Sequence, residues 1–304
     1  MMDGGILLID KPSGPTSHDV VHKIRKKLKT KRVGHAGTLD PLATGLLVVC
    51  VGGATRLLEY MTATEKMYTG EVVFGIGTDT DDASGNVIAT GSAASIDDAQ
   101  LAAAVQQLTG TIVQKVPAYS AVHVNGKRAY ELARAGEDVE MPSREVHIHS
   151  FSVDALTRDG QAARAAFAVR CSKGTYIRAL CRDLGGILGV PAHMASLRRT
   201  AVGPAQIAEA VDLDAFMRAD DASLFLQKPI SYLTTYPKLE VTTETLIQLA
   251  NGQRANVDLV PDMAVAKDDV LFVCHADELA AVAEVTAVSD QLELQPKKVF
   301  WKRG

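Results

Sequence analysis

Gly34-His35-Ala36-Gly37-Thr38-Leu39-Asp40-Pro41-Leu42-Ala43-Thr44-Gly45 sets one acid, one histidine and three glycines between a basic helical segment and an apolar strand. Gly and Pro interrupt every regular repeat here, so the stretch reads as a loop and a poor core. Glycines let a backbone come close to a ligand, and Pro41 holds Asp40 in an extended or turn geometry. Asp40 is therefore the leading candidate for chemistry.

Working outward, Ile6-Leu7-Leu8-Ile9 reads as a short buried strand and Asp10-Lys11-Pro12-Ser13-Gly14-Pro15 as a turn. Thr16 or Ser17 caps a helix whose apolar stripe is Val20, Val21, Ile24 and Leu28. From His22 to His35 there are seven Lys or Arg residues and no acid. A solvated face usually explains such a run, but a solvated face is normally laced with acids. Their absence makes Lys26 and Lys27 candidate phosphate contacts. Downstream, Leu46 to Val51 is a continuous apolar strand, and Tyr68 to Ile76 alternates, placing Tyr68, Gly70, Val72 and Phe74 on one face. Ser95-Ile96-Asp97-Asp98 opens a capped helix with Leu101, Val105 and Leu108 inward. Phe167 to Cys171 reads as a strand and Thr175 to Leu188 as a helix. Strands and helices interleave without a strict βαβ rhythm, so the class is α+β.

The 304 residues are enough for two domains. Pro204 to Leu233 reads as an acidic, helical transition. From Leu239 onward, short strands around one small helix predict a β-rich appended domain of about 65 residues. No apolar run approaches the roughly 20 residues needed to span a bilayer. The first residues lack the basic-then-apolar order of a signal peptide, so a cytoplasmic protein is expected. A net charge of −4 argues weakly against nucleic acid, but the basic helix and Lys297, Lys298, Lys302 and Arg303 supply local positive patches. Cys50, Cys171, Cys181 and Cys274 form no CxxC pair and read as buried thiols.

Several motifs fail on inspection. Thr78-Asp79-Thr80-Asp81-Asp82-Ala83-Ser84-Gly85 invites a calcium loop, but Ala83, Ser84 and Thr90 occupy positions that need a ligand, a glycine and a glutamate. His147 and His149 share a strand face without a third ligand nearby. Gly75-Ile76-Gly77 lacks the rest of a dinucleotide fingerprint, and no Gly-x-Ser-x-Gly elbow occurs. The expectation is a protein without metal or cofactor.

Three segments remain: Asp40 in its loop, Tyr68 at a strand entry, and Lys173-Gly174-Thr175-Tyr176-Ile177-Arg178 between a strand and a helix. Together they offer an acid, an aromatic and a cation, a set suited to holding a flipped-out base. These segments resemble the TruB-type tRNA pseudouridine synthases. The match runs in order over residues 5–235, through Asp10-Lys11-Pro12-x-Gly14-x-Thr16-Ser17, Gly34–Gly45, Lys66-x-Tyr68 and Thr78-Asp79-Thr80-Asp81-x-x-x-Gly85. It continues through Pro117-x-Tyr119-Ser120-Ala121, Gly126-x-x-Ala129-Tyr130-x-x-Ala133-Arg134-x-Gly136, Gly174-Thr175-Tyr176-Ile177-Arg178 and Leu197-Arg198-Arg199-Thr200. The family usually has two prolines before Tyr119, and Val116 takes the place of the first.

The resemblance implies a mixed, largely antiparallel sheet flanked by helices over residues 1–235, and a small β-barrel-like PUA domain that binds RNA over 236–304. It implies isomerisation of uridine to pseudouridine at position 55, in the T loop of tRNA. By that match Asp40 is the essential carboxylate, Tyr68 stacks on the base and is a candidate for taking the C5 proton, and Arg178 pairs with Asp40. His35 helps to evert the nucleotide, Lys11 and Pro12 shape the pocket, Leu197 walls it, and Tyr176 joins the substrate contacts. The reaction cuts an N-glycosidic bond, turns the base and rejoins it through carbon, so it is redox-neutral. Asp40 can add covalently, stabilise a sugar cation, or abstract a proton. A monomer without an obligatory protein partner is expected. Alternatives are a pseudouridine synthase of another RNA, a non-catalytic tRNA-binding or tRNA-folding protein, and an Asp-dependent hydrolase that releases uracil.

Overall fold

The apolar strand expected at 46–51 extends over Thr44–Gly52 and pairs antiparallel with Gly4–Lys11, Ile6 opposite Cys50 and Lys11 opposite Gly45. Both strands are apolar without alternation because both faces are covered. Ile6, Leu8, Leu46, Val48 and Cys50 enter one core, and Leu7, Ile9, Leu47, Val49 and Val51 enter another. The computed structural model describes residues 3–124, 126–137, 139–258, 260 and 263–301; Lys302, Arg303 and the side chain of Arg134 lie outside these.

The main sheet runs in the order Val211–Asp212, Gly4–Lys11, Thr44–Gly52, Ala192–Val202, Lys66–Phe74, Ala162–Cys171, Ser143–Val153, Gly110–Lys115. Five of these seven pairings are antiparallel; Val211–Asp212 with Gly4–Lys11 and Thr44–Gly52 with Ala192–Val202 are parallel. The expected α+β class with a mixed, largely antiparallel sheet is the one observed. At the far end only one face is covered. Ala162–Cys171 accordingly alternates, with Ala163, Ala165, Phe167, Val169 and Cys171 buried beside helices Asp98–Gln107 and Ile177–Ile187.

Helix Ser17–Lys27 starts where Thr16 accepts from the Asp19 amide at 3.1 Å while Asp19 accepts from the Thr16 amide at 2.9 Å. That reciprocal cap contributes about 1 kcal/mol. Val20, Val21 and Ile24 then reach the core, as the sequence predicts. The stretch 204–233 is less helical than expected: Leu213–Arg218 is α-helix, and around it lie short 3-10 turns and the short strands Ala205–Gln206 and Val211–Asp212.

The C-terminal half-barrel has the order Lys238–Glu240, Val270–His275, Glu278–Val288, Gln291–Val299, Ala255–Asp258, with helix Thr243–Ala250 against it. Ala255–Asp258 and the full length of Glu278–Val288 are not apparent in the sequence. Ala280, Ala281 and Ala283 have weak strand preference, and pairing on both sides decides their conformation. This sheet also shares apolar packing with the main one: Phe272, Leu279, Val282 and Phe300 lie in the same cluster as Ile6, Leu8 and Leu46. Arg56 donates to the Val299 carbonyl at 2.7 Å and sits over the Phe300 ring, and Lys298 pairs with Glu59. All four cysteines are buried thiols. Among the described residues no helix is long and apolar enough to cross a membrane.

Candidate active site

The loop 36–43 leaves the short strand Val33–His35 and enters Thr44–Gly52 without regular structure, so its carbonyls need side-chain donors. Three side chains supply them. The Lys11 ammonium, on a fully buried residue, donates to the carbonyls of Pro12 (2.8 Å), Pro41 (3.4 Å) and Ala43 (2.7 Å). Arg199, only 1% exposed, donates through Nε to Leu46 (2.7 Å), through Nη1 to Thr38 (3.3 Å) and through Nη2 to Gly37 (3.0 Å). The Ser17 hydroxyl donates to the Leu39 carbonyl and accepts from its amide. The expectation of a poor core fails for Ala36, Leu39 and Ala43, which are buried and anchor the loop between two apolar clusters. Burying Leu39 alone is worth roughly 2 kcal/mol. Gly45 also has a different reason from the one expected. At φ +98° a Cβ there would strike the Arg199 backbone, so this glycine serves a strand crossing rather than a ligand.

Asp40 stands at the loop's open side with its side chain 39% exposed, and its Oδ2 lies 2.9 Å from Arg178 Nε. Arg178 is 6% exposed and its other donors are occupied: Nη1 by the Thr80 carbonyl at 2.8 Å and Nη2 by the Tyr119 carbonyl at 3.0 Å. Asp82 Oδ2 is 3.6 Å from Nε, and its Oδ1 accepts from the Thr80 hydroxyl and the Ser84 amide. The guanidinium is thus a fixed fork whose outward edge meets Asp40. Asp82 was not singled out from the sequence; the failed calcium motif is what holds the arginine. Gln114 was missed as well. It is buried and bonds both the amide and the carbonyl of Tyr176, which fixes the entry of helix Ile177–Ile187.

Tyr68 pairs in register with Arg199 across the antiparallel ladder, which puts both side chains on one face. Burial pushes the Tyr68 phenol above its usual range, opposed chiefly by the positive charge of Arg199, so the phenol is neutral near pH 7. Next to it, Gly70 has no room for a Cβ against the Ser196 carbonyl and the Phe167 ring. Leu197, opposite Gly70, is buried. Lys66 is buried, donates to the Thr62 and Thr64 carbonyls, and is lowered to about 8 chiefly by desolvation. The same cause brings Lys11 to about 8.

His35 packs edge-on against His18, ring centroids 5.5 Å apart, with its Nδ1 buried and unpartnered. Burial, then the charges of His18 and Arg199, lower its pKa, so it is neutral near pH 7. Pro12 is exposed at the loop edge, and Tyr176 is half-buried with Arg144 over its ring. The structure therefore gathers Asp40, Arg178, Lys11, Pro12 and His35 around the loop, with Tyr68 and Leu197 on the adjoining strands. Lys26 is exposed on its helix, whereas Lys27 donates to the Ala219 carbonyl at 2.5 Å. A cavity of about 550 Å³ lies elsewhere, lined by Tyr60, Met67, Arg170, Pro204 and Tyr236, away from Asp40. Among the described residues no cluster of His, Cys, Asp and Glu could hold a metal.

A carboxylate loop and an arginine fork set in a sheet of this order define the class, a pseudouridine synthase. Over 98% of this chain and 85% of the other, the fold superposes on a chain from a Cbf5-Nop10-Gar1 complex, with a TM-score of 0.72 and 25% identity. The pattern of the TruB family pseudouridylate synthase N terminal domain matches residues 25–177, and that of the tRNA pseudouridylate synthase B C-terminal domain matches 178–230. The tRNA pseudouridine synthase B of Thermobifida fusca is 51% identical over 70% of this chain and 74% of its own. That of Paenarthrobacter aurescens is 41% identical over 92% and 91%. The chain belongs to the TruB family of pseudouridylate synthases.

Proposed function

We propose that the protein isomerises the uridine at position 55, in the T arm of tRNA, acting as a monomer and without a protein partner. The single observation that carries the site assignment is the 2.9 Å pair between a partly open Asp40 and a buried Arg178 anchored by the Thr80 and Tyr119 carbonyls. A carboxyl group fixed against a cation but open to a ligand suits a step in which the departing uracil leaves an electron-poor C1′. Tyr68 supplies a neutral ring for the flipped base, and His35, Lys11, Pro12, Tyr176 and Leu197 shape its surroundings. Residues 236–304 act as a second, RNA-contacting domain joined to the catalytic domain 1–235, and the exposed Lys26 adds a phosphate contact, whereas Lys27, expected from the sequence to do the same, is engaged by the Ala219 carbonyl. The two relatives named above support tRNA as substrate through their names.

The experiment is turnover on an unmodified T-arm stem-loop, with pseudouridine located by mass spectrometry, for the native chain and for Asp40→Asn. The expected result is one pseudouridine at position 55, and for the variant a loss on the order of 10³-fold or more with RNA affinity kept. Pseudouridine formed at native rates by Asp40→Asn would overturn the assignment; release of free uracil would point to a hydrolase instead.

A further inference from the structure

Helix Ile177–Ile187 carries two arginines one turn apart, and only the first belongs to the site described above. We propose that Arg182, through its ion pair with Asp81, is a positioning residue that sets the orientation of the Arg178 fork and hence of Asp40. The inference rests on the assignment of Asp40 and Arg178 just made.

Arg182 Nη1 donates to Asp81 Oδ2 at 2.8 Å, and Nη2 donates to the Lys115 carbonyl at 3.1 Å. Nε and Nη2 also reach Asp183 Oδ1, at 3.0 and 2.8 Å. The Asp81 side chain is 14% exposed. Its backbone is left-handed, at φ +61°, in a residue that is not glycine. Such a conformation persists only where its surroundings over-determine it. Here the Asp81 amide donates to Thr78, the Met194 amide donates to the Asp81 carbonyl at 3.0 Å, and Arg182 holds the carboxylate.

The residues on either side of Asp81 are the ones that grip Arg178. Thr80 gives it a carbonyl at 2.8 Å and Asp82 a carboxylate at 3.6 Å. Three consecutive residues thus alternate between two guanidinium groups: Thr80 and Asp82 for Arg178, Asp81 for Arg182. Like charges four residues apart on a helix repel, so the pair is held only with acids between them. Burial pushes the Asp81 carboxyl upward and Arg182 is the main group opposing that, so removing Arg182 leaves a buried acid without its partner. The loop then loses one of its two attachments to the helix, and the Thr80–Asp82 cradle turns away from Arg178. The Arg178 Nε edge leaves Asp40 without any substrate contact having been touched.

The test is steady-state kinetics on full-length unmodified tRNA for Asp81→Asn, Arg182→Met, Arg182→Lys and the Asp81→Asn/Arg182→Met double variant, with melting temperatures alongside. Arg164→Met, which breaks the exposed pair with Glu71, is the control. Each single loss is expected to lower kcat about tenfold or more with KM within about twofold, because a misplaced catalytic group costs rate rather than binding. The double variant is expected to be no slower than the worse single, and Arg182→Lys to recover part of kcat. The inference fails if kcat is unchanged in folded variants, if KM rises instead, or if the two losses multiply. Should one variant melt below the assay temperature, Arg182→Lys and Asp81→Asn carry the comparison. Asp40→Asn and Arg178→Met run in parallel separate the two ideas. Active Asp40→Asn and Arg178→Met variants sink the site assignment, whereas inactive ones beside unimpaired Arg182 variants sink only this proposal.

Discussion

The Asp40 loop and the C-terminal half-barrel solve the same problem by different means. In the half-barrel, backbone groups pair along ladders such as Val270–His275 with Glu278–Val288, and Leu246, Leu271, Val273 and Leu292 fill the space behind. In the loop, ladders are absent between Ala36 and Ala43, and Lys11, Ser17 and Arg199 do their work from outside. The half-barrel therefore depends on apolar area, which many sequences can supply. The loop depends on a few buried cations whose donors have no substitute. Burying those cations is unfavourable in itself, and it is tolerated because their donors meet backbone carbonyls. A loop built this way holds a carboxylate open to solvent at one place and nowhere else.

The sharpest way to break the comparison is Arg199→Met. It removes the donor from the buried Leu46 carbonyl and from the part-buried Gly37 and Thr38 carbonyls; at about 1–3 kcal/mol for the buried group and less for the other two, a stability loss on the order of 2–4 kcal/mol is expected. Calorimetry should show a melting temperature roughly 10 °C lower. Turnover below that temperature should fall on the order of 100-fold, because the loop and Tyr68 lose their common anchor. Leu279→Ala, in the packing between the two sheets, is the counterpart. It should cost about 2–4 kcal/mol in urea unfolding while kcat per folded molecule stays near native. Equal kcat losses in both variants would abolish the distinction.

Much of the loop was legible in the sequence because its residues are constrained one by one. Asp40 and the capped helix Ser17–Lys27 follow from local chemistry, and His35, Tyr68 and Arg178 from the ordered match. What escaped were the residues that act at long range. Arg199 and Gln114 look like ordinary strand residues until the sheet brings them to the loop and the helix entry. Asp82 sat in a motif judged by calcium geometry rather than by what an acid near a buried arginine does. In the half-barrel the reverse holds: the sequence marks its alanine-rich strand only at Ala283-Glu284-Val285, and pairing with its neighbours extends it over Glu278–Val288.

Ionisation separates the regions further. Lys11 titrates near 8 in the folded protein, chiefly through desolvation, and near its ordinary, higher value when unfolded. Below pH 8 both states hold the proton and the difference is constant. Above it the folded state releases the proton first, so the unfolded state binds more protons and stability from this group rises with pH until the unfolded lysine titrates. Lys66, also lowered to about 8, adds a rise of the same sign, so urea unfolding from pH 7 to 10 should show the sum and Lys11→Met should reduce it by the Lys11 share. A rise of equal size in both proteins would place its origin elsewhere, outside the loop.

The smallest expected effect distinguishes two lysines that look alike in the sequence. Lys26 is exposed, whereas the Lys27 ammonium is already engaged by the Ala219 carbonyl at the end of helix Leu213–Arg218. A phosphate contact made by an exposed lysine should appear as a loss of about 0.7–0.9 in the slope of log affinity against log salt when that lysine is neutralised. Lys26→Gln should show it in titrations of tRNA binding between low and moderate salt, with the melting temperature unchanged. Lys27→Gln should instead leave the slope nearly intact and lower stability by about 1 kcal/mol, since the Ala219 carbonyl loses its donor. If both variants lose the same slope, Lys27 leaves Ala219 when RNA arrives, and the basic face acts as one surface. If neither does, the run of cations on this helix is a solvated face after all, and the phosphate contacts belong to the other basic patch.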